Sequence, residues 1–166
     1  MQENSFSIRY KIYGQISELP SEQAELLGQA EAAAENAYAP YSEFQVGAAI
    51  ELDDGQIINA NNQENIAYPS GLCAERIAMF YASAQYPRQQ IVRIAVSSQS
   101  AKTSIEQLLT PCGACRQVMA EYQLKQDRNI EIILAAGKGR IMVFDRVEDI
   151  LPFMFKADQL KKNQEL

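Results

Sequence analysis

Strand-like and helix-like segments alternate along this chain, and that order limits its fold more than any other feature. "FSIRYKIYG" puts Phe6, Ile8, Tyr10 and Ile12 on one face of an extended segment, the pattern of a half-buried strand. In "LPSEQAELLGQAEAAAENAYAPYS", Ser21 is placed to cap, the Ala-rich run favours helix, and Pro40 stops it. Two apolar runs, 46–52 and 56–60, flank Asp53-Asp54-Gly55 and predict a hairpin. After an irregular polar loop, a helix is expected over 73–84, with Ile77, Phe80, Tyr81 and Ala84 along one apolar face. "QQIVRIAVSS" and "IEIILAAG" read as strands. Between them lie a short helical turn, "SIEQLL", and a helix over 112–124 that Pro111 introduces. "GRIMVFDR" adds a strand after the Gly137–Gly139 turn, and a short helix near 146–150 and a Phe-rich tail close the chain. The order predicts a layered α/β fold with a mixed sheet, antiparallel at the hairpin and parallel across the helical crossovers.

No repeat, low-complexity stretch or linker divides the 166 residues, so the expectation is a single domain over 1–166. The net charge of −6 argues against a polynucleotide partner, which calls for a basic face, and leaves a small neutral ligand open. "MQENSFSIRYKIYG" lacks the apolar stretch of a secretory leader, and no run approaches membrane-spanning length. No membrane partner and a cytoplasmic location are therefore expected. The three cysteines, an odd number, point to metal binding or catalysis before disulfide scaffolding. Histidine is absent, so proton transfer falls to a carboxylate, Lys, Tyr or Cys, and any zinc site must be rich in thiolate.

All three cysteines stand at predicted helix starts, in "PSGLCAERIAMF" and "TPCGACRQVM". Cys112 and Cys115, three apart, share one face of a helical turn and can chelate one ion, with Cys73 arriving from the other helix. Three sulfurs and an open fourth position describe a catalytic zinc better than a structural one. Helix N-termini stabilise thiolates. Three thiolates on a dication still leave a negative site that opposes ionisation of bound water, so a cation should sit close. Arg76 is the candidate donor to the sulfurs, with Arg116 behind it. Glu75, about 200° from Cys73 round an ideal helix, is poorly placed to share the metal but can lean over the helix tip towards the bound water. There a carboxylate can carry protons between water and substrate. A structural zinc knot of three cysteines plus an Asp or Glu, a redox Cys-x-x-Cys pair and three buried core cysteines remain alternatives; a redox dithiol pair gives no reason for Cys73-Ala74-Glu75.

The Cys73-Ala74-Glu75 and Pro111-Cys112-Gly113-Ala114-Cys115 segments have the pattern of zinc nucleobase deaminases. With "YAPYSEFQVGAAI" and "NQENIAYPSGLCAERIAMF", the stretch from Tyr38 to Tyr122 closely resembles the small homotetrameric cytidine deaminases of pyrimidine salvage. The resemblance implies a three-layer α-β-α sandwich with a mixed, mostly five-stranded sheet. It also implies one Zn2+ per chain and hydrolysis of cytidine and deoxycytidine to the uridines and ammonia. In such enzymes a zinc-bound hydroxide attacks the ring carbon bearing the amino group. The metal ligands fall on Cys73, Cys112 and Cys115, and the proton shuttle on Glu75. The ribose-binding pair falls on Asn62 and Glu64, the aromatic on the base on Phe44, and the amide meeting the base carbonyl on Ala74. Tyr68 is a candidate pocket or interface residue. Phe155 matches an aromatic that reaches over a neighbouring subunit's base.

Three features depart from the pattern: Gln45 and Lys156-Ala157 stand where proline and Gly-Pro are usual, and residues 1–20 extend the compact form, as the tail 152–166 closes it. The rival readings are a deaminase of another small cytosine nucleoside, such as an aminoacyl-nucleoside antibiotic, and a non-catalytic structural-zinc protein. A polynucleotide deaminase fits the acidic balance poorly.

Overall fold

The computed structural model describes residues 1–100, 109–136 and 140–156. Strands β1 (Lys11–Tyr13), β2 (Phe44–Leu52), β3 (Ile57–Asn61), β4 (Ile91–Ser100), β5 (Glu131–Ala136) and β6 (Ile141–Phe144) form one sheet in the order β1-β6-β5-β4-β2-β3. The β4–β5 pair is parallel and every other pair antiparallel. Helix α1 (Ser21–Ala34) covers one face, and α2 (Ala74–Gln85) with α3 (Gly113–Gln126) covers the other. This is the expected three-layer sandwich with one strand more than the expected five. The sixth strand comes from the N-terminal extension, where three residues pair with β6 in place of the longer segment that the alternation suggested.

The two cores follow from the alternation of side chains along each strand. Ala48, Ile50, Ile94, Val96, Ile132 and Leu134 point towards α2 and α3. Ala49, Ala95, Ile133 and Val143 point towards α1, where Leu26, Leu27 and Ala30 meet them. Helix α1 lies very close to the sheet. A Cβ on Gly47 would stand 1.9 Å from the Ala30 carbonyl oxygen and 2.5 Å from the Ala34 nitrogen. Arg93 of β4 fixes the other end of this packing. Its cross-strand neighbours are Glu51 and Glu131, at 3.3 and 3.4 Å, and Glu22 in the first turn of α1 accepts from it at 2.7 Å.

The face that α2 turns inward differs from the expected one. Ala74, Glu75, Ala78, Met79 and Ala82 are buried against the sheet, while Phe80, Tyr81 and Ala84 face outward. Small side chains let the helix approach β2 and β3, so alanines fill the inner face and the aromatics stay outside. The hairpin turn is as expected, with Gly55 at φ 84°, a backbone angle that suits glycine. Helix α1 starts at Ser21 itself, with Pro20 in the cap position, and ends at Ala34, six residues before Pro40. The short helix near 146–150 is a 3₁₀ turn, Val147–Asp149. Residues 104–108 of the turn expected at 104–109, the Gly137–Gly139 turn and Ala157 lie outside the described residues.

Candidate active site

Both metal-binding segments begin where a helix begins. Cys73 is the N-cap of α2 and Cys112 the N-cap of α3; neither side chain caps its own helix, so both sulfurs remain available. Cys115 lies in the first turn of α3 and is fully buried. The three sulfurs lie within 4.8 Å of one another, and those of Cys112 and Cys115 are 3.5 Å apart. Tetrahedral zinc–thiolate bonds separate sulfurs by about 3.8 Å, so the cluster fits zinc with little adjustment. An all-thiolate donor set also suits this soft ion better than a hard one.

The local electrostatics favour a thiolate at Cys73. A hydrogen bond from Cys115, aided by Arg76, lowers the Cys73 thiol to about 5, against the opposing effect of burial. The same shared proton and burial push Cys115 upward. Arg76 donates to the Cys73 sulfur at 3.8 Å. Arg116 does different work. It donates to the carbonyls of Pro111 and Ile150, each at 2.7 Å, and to the Thr110 hydroxyl. It thereby braces the approach to Cys112 and leaves the sulfurs to Arg76.

Glu75 is 4% exposed, and its Oε2 has no hydrogen-bond partner among the described residues. Burial raises its carboxyl above the ordinary carboxylate range, and the neighbouring Cys73 charge adds to the rise. With Cys73, Cys112 and Arg76, Glu75 lines a cavity of about 850 Å³. A buried carboxyl with one oxygen unpartnered, beside three sulfurs, has the environment of a group that exchanges protons.

The opposite part of the lining comes from the loop after β3. Gln63 pairs with Leu72 through two backbone hydrogen bonds of 2.9 Å, and Tyr38 brackets it on the other side. Asn62 and Glu64 thereby face the same cavity. Asn62 Oδ1 accepts from the Val46 amide at 2.8 Å, and its Nδ2 donates to the Phe44 carbonyl at 3.0 Å. One acceptor site and one donor hydrogen remain on the amide. Glu64 accepts from the Tyr41 and Ser42 amides on Oε2 and from the Ser42 hydroxyl on Oε1, leaving a lone pair of Oε1 open. Those bonds, the Ser42 hydroxyl above all, hold its carboxyl below the ordinary range. Glu43, at φ 54°, turns the chain from this Tyr41–Ser42 segment into Phe44.

Phe44 and Tyr68 line the cavity. Ala74 is fully buried and outside the lining; as the first residue of α2 its amide has no partner within the helix. Phe155 is 70% exposed and also outside the lining, with its backbone held by Gln117 of α3 at 3.0 and 3.1 Å. Sequence reasoning missed Ser42, which holds Glu64, and Ser98, which lines the cavity from β4. Ser98 had a signal: it follows Ile94 and Val96 on the inward face of an apolar strand, where a hydroxyl is out of place.

A family profile described as "Cytidine and deoxycytidylate deaminase zinc-binding region" matches residues 20–127. The chain belongs to this deaminase family. A cytidine deaminase from Halalkalibacterium halodurans is 39% identical over 135 residues, 81% of this chain and 95% of the relative. One from Sporosarcina psychrophila is 41% identical over 135 residues, 81% of this chain and 92% of the relative. The crystal structure of a cytidine deaminase from Burkholderia pseudomallei superposes with a TM-score of 0.67 at 37% identity, covering 82% of this chain and 100% of that one. The deaminase profile begins at residue 20, so β1 belongs to the part of the chain outside it.

Proposed function

We propose that this chain is a zinc-dependent cytidine deaminase that converts cytidine and deoxycytidine, with water, to uridine and deoxyuridine and ammonia. The observation that carries this reading is a cluster of three sulfurs, two of them lining a cavity with Glu75, whose buried carboxyl keeps one oxygen unpartnered. Cys73, Cys112 and Cys115 hold the zinc, whose Lewis acidity activates the attacking water. Glu75 accepts a proton from the attacking water, delivers it to the ring nitrogen beside the reacting carbon, and then carries the proton of the newly added hydroxyl to the departing amine as the carbonyl forms. Its carboxyl, raised by burial above the ordinary carboxylate range, suits such two-way transfer. Arg76 offsets the excess negative charge of the thiolates.

Asn62 and Glu64 bind the ribose hydroxyls. Each is already fixed by backbone amides or carbonyls and keeps hydrogen-bonding capacity, so little order is lost when the sugar arrives. Phe44 packs on the base, Tyr68 closes the cavity wall, and the Ala74 amide meets the base carbonyl. We assign the enzyme to pyrimidine salvage as a cytoplasmic protein, since reduced thiols suit a reducing compartment. We further propose a homotetramer. The exposed Phe80, Tyr81, Phe153 and Phe155 supply apolar surface for it, with Phe155 reaching towards a neighbouring site and Arg116 bracing the segment that bears Cys112.

The test is incubation of zinc-loaded protein with cytidine and deoxycytidine, following uridine formation and ammonia release. Turnover that chelation abolishes supports the proposal. No turnover with one zinc per chain overturns it.

A further inference from the structure

Ser98 is 4% exposed, and its Oγ has no hydrogen-bond partner among the described residues. The hydroxyl lies on the cavity side of β4, in a part of the floor that is otherwise apolar: Phe44, Val46 and Val96. An unpaired buried hydroxyl is destabilising, and a cavity-facing one finds its partner in a ligand.

Strand register says which part of the ligand. Ser98 stands opposite Val46 on β2, and Asn62 stands opposite Val46 on the other side, donating its amide to the Val46 carbonyl at 3.0 Å. Ser98 of β4, Val46 of β2 and Asn62, the residue after β3, therefore form one row, with Ser98 and Asn62 two strand spacings apart, about 10 Å. A pyrimidine nucleoside spans a comparable length from its ribose hydroxyls to the substituent at ring C4. A base laid along this row from a ribose on Asn62 would cover Val46 and bring its C4 substituent to Ser98.

We propose that the Ser98 hydroxyl binds the C4 substituent of the base, accepting a hydrogen bond from the amino group of the substrate. This assignment rests on the deaminase reading above and adds a specificity contact to it. A hydroxyl both donates and accepts. The same group can turn and donate to the carbonyl oxygen that replaces the amine in the product. Ser98 thus contacts the substrate directly and takes no part in proton transfer.

Loss of function and gain of stability separate this role from a structural one. The experiment compares zinc-loaded, full-length wild type with Ser98→Ala, using cytidine as substrate. Its second probe is pyrimidin-2-one ribonucleoside, which carries only hydrogen at C4, as inhibitor. The substitution should lower kcat/KM for cytidine about three- to tenfold, the effect of one neutral hydrogen bond. It should leave the inhibition constant of the probe within about twofold of wild type. The melting temperature should stay level or rise by about 2–4 °C, since an unpaired hydroxyl is removed. The proposal is overturned by unchanged turnover of cytidine, by equal losses on both ligands, or by a fall in melting temperature alongside the lost activity. A wild-type protein that leaves cytidine untouched overturns the deaminase reading instead, and this contact with it.

Discussion

Arg76 places its guanidinium 3.8 Å from the Cys73 sulfur, three residues along the helix that Cys73 caps. In the metal-free protein this contact and the hydrogen bond from Cys115 keep the Cys73 thiol ionised down to a pH of about 5. A lowered thiol pKa means thiolate throughout the neutral range and protonation only as the pH falls through that value. After chelation, iodoacetamide should therefore label Cys73 at neutral pH well ahead of Cys115, which burial and the shared proton hold as a thiol. Arg76→Ala should move the midpoint of the Cys73 labelling profile upward. It should also weaken zinc retention about 10–100-fold in competition with a chelator. An unmoved profile would remove Arg76 from the metal site.

Glu75→Gln separates proton transfer from metal binding. The variant should keep one zinc per chain and lose turnover by at least about 100-fold. It should also melt higher. Burial raises the carboxyl pKa, so the folded state holds that proton more tightly than the unfolded state, whose value is near 4.5. Glu75 therefore opposes folding increasingly as the pH rises from 4.5 to its raised folded value, and the gain from Gln should grow over the same window. Metal analysis and paired melting curves check both points. Loss of zinc in the variant would make Glu75 a ligand and refute its role as proton carrier.

What the sequence discloses here depends on whether the signal is local. The caps at Cys73 and Cys112 and the turn at Gly55 are set by neighbours within a few residues, and their placement was legible. The inner face of α2 was not. Hydrophobic periodicity gives weight to Phe80 and Tyr81, whereas a helix close to a sheet needs Ala74, Ala78 and Ala82 inside. Strand length in the extension depended on what lies across from it. Phe6 and Tyr10 meet the rings of Phe153 and Phe144 at 5.3 and 5.6 Å between centres, and the ladder pairing covers Lys11–Tyr13. The burial of Ser98 and the brace from Arg116 to Ile150 are long-range facts that no local pattern carries.

Gly47→Ala should damage the fold out of proportion to one methyl group. The added carbon would lie 1.9 Å from the Ala30 carbonyl oxygen, and both partners are backbone, so no side chain can swing aside. Helix α1 would have to lift from β2, loosening the layer that Leu26, Leu27 and Ala30 make with the sheet. A loss of about 3 kcal/mol or more is expected. It should appear in chemical denaturation as a lower midpoint with little change in slope, or as failure to accumulate soluble protein. A stability within about 0.5 kcal/mol of wild type would show that α1 can shift freely.

Tyr81→Glu tests the proposed assembly through the outer face of α2. Tyr81 is 51% exposed, and Phe80 beside it is 43% exposed and makes an edge contact with Tyr122, 6.4 Å between ring centres. In an isolated chain a charge at position 81 meets water and should change stability by no more than about 0.5 kcal/mol. Buried between subunits, the same carboxylate would be desolvated without a partner, which an interface tolerates poorly. Sedimentation of the wild type should therefore give about four times the 18.6 kDa chain mass, and the variant a smaller species with intact secondary structure. If Phe155 of one chain serves its neighbour's site, the smaller species should show a raised KM for cytidine as well. A variant that sediments as the wild type does would place the interface elsewhere on the molecule.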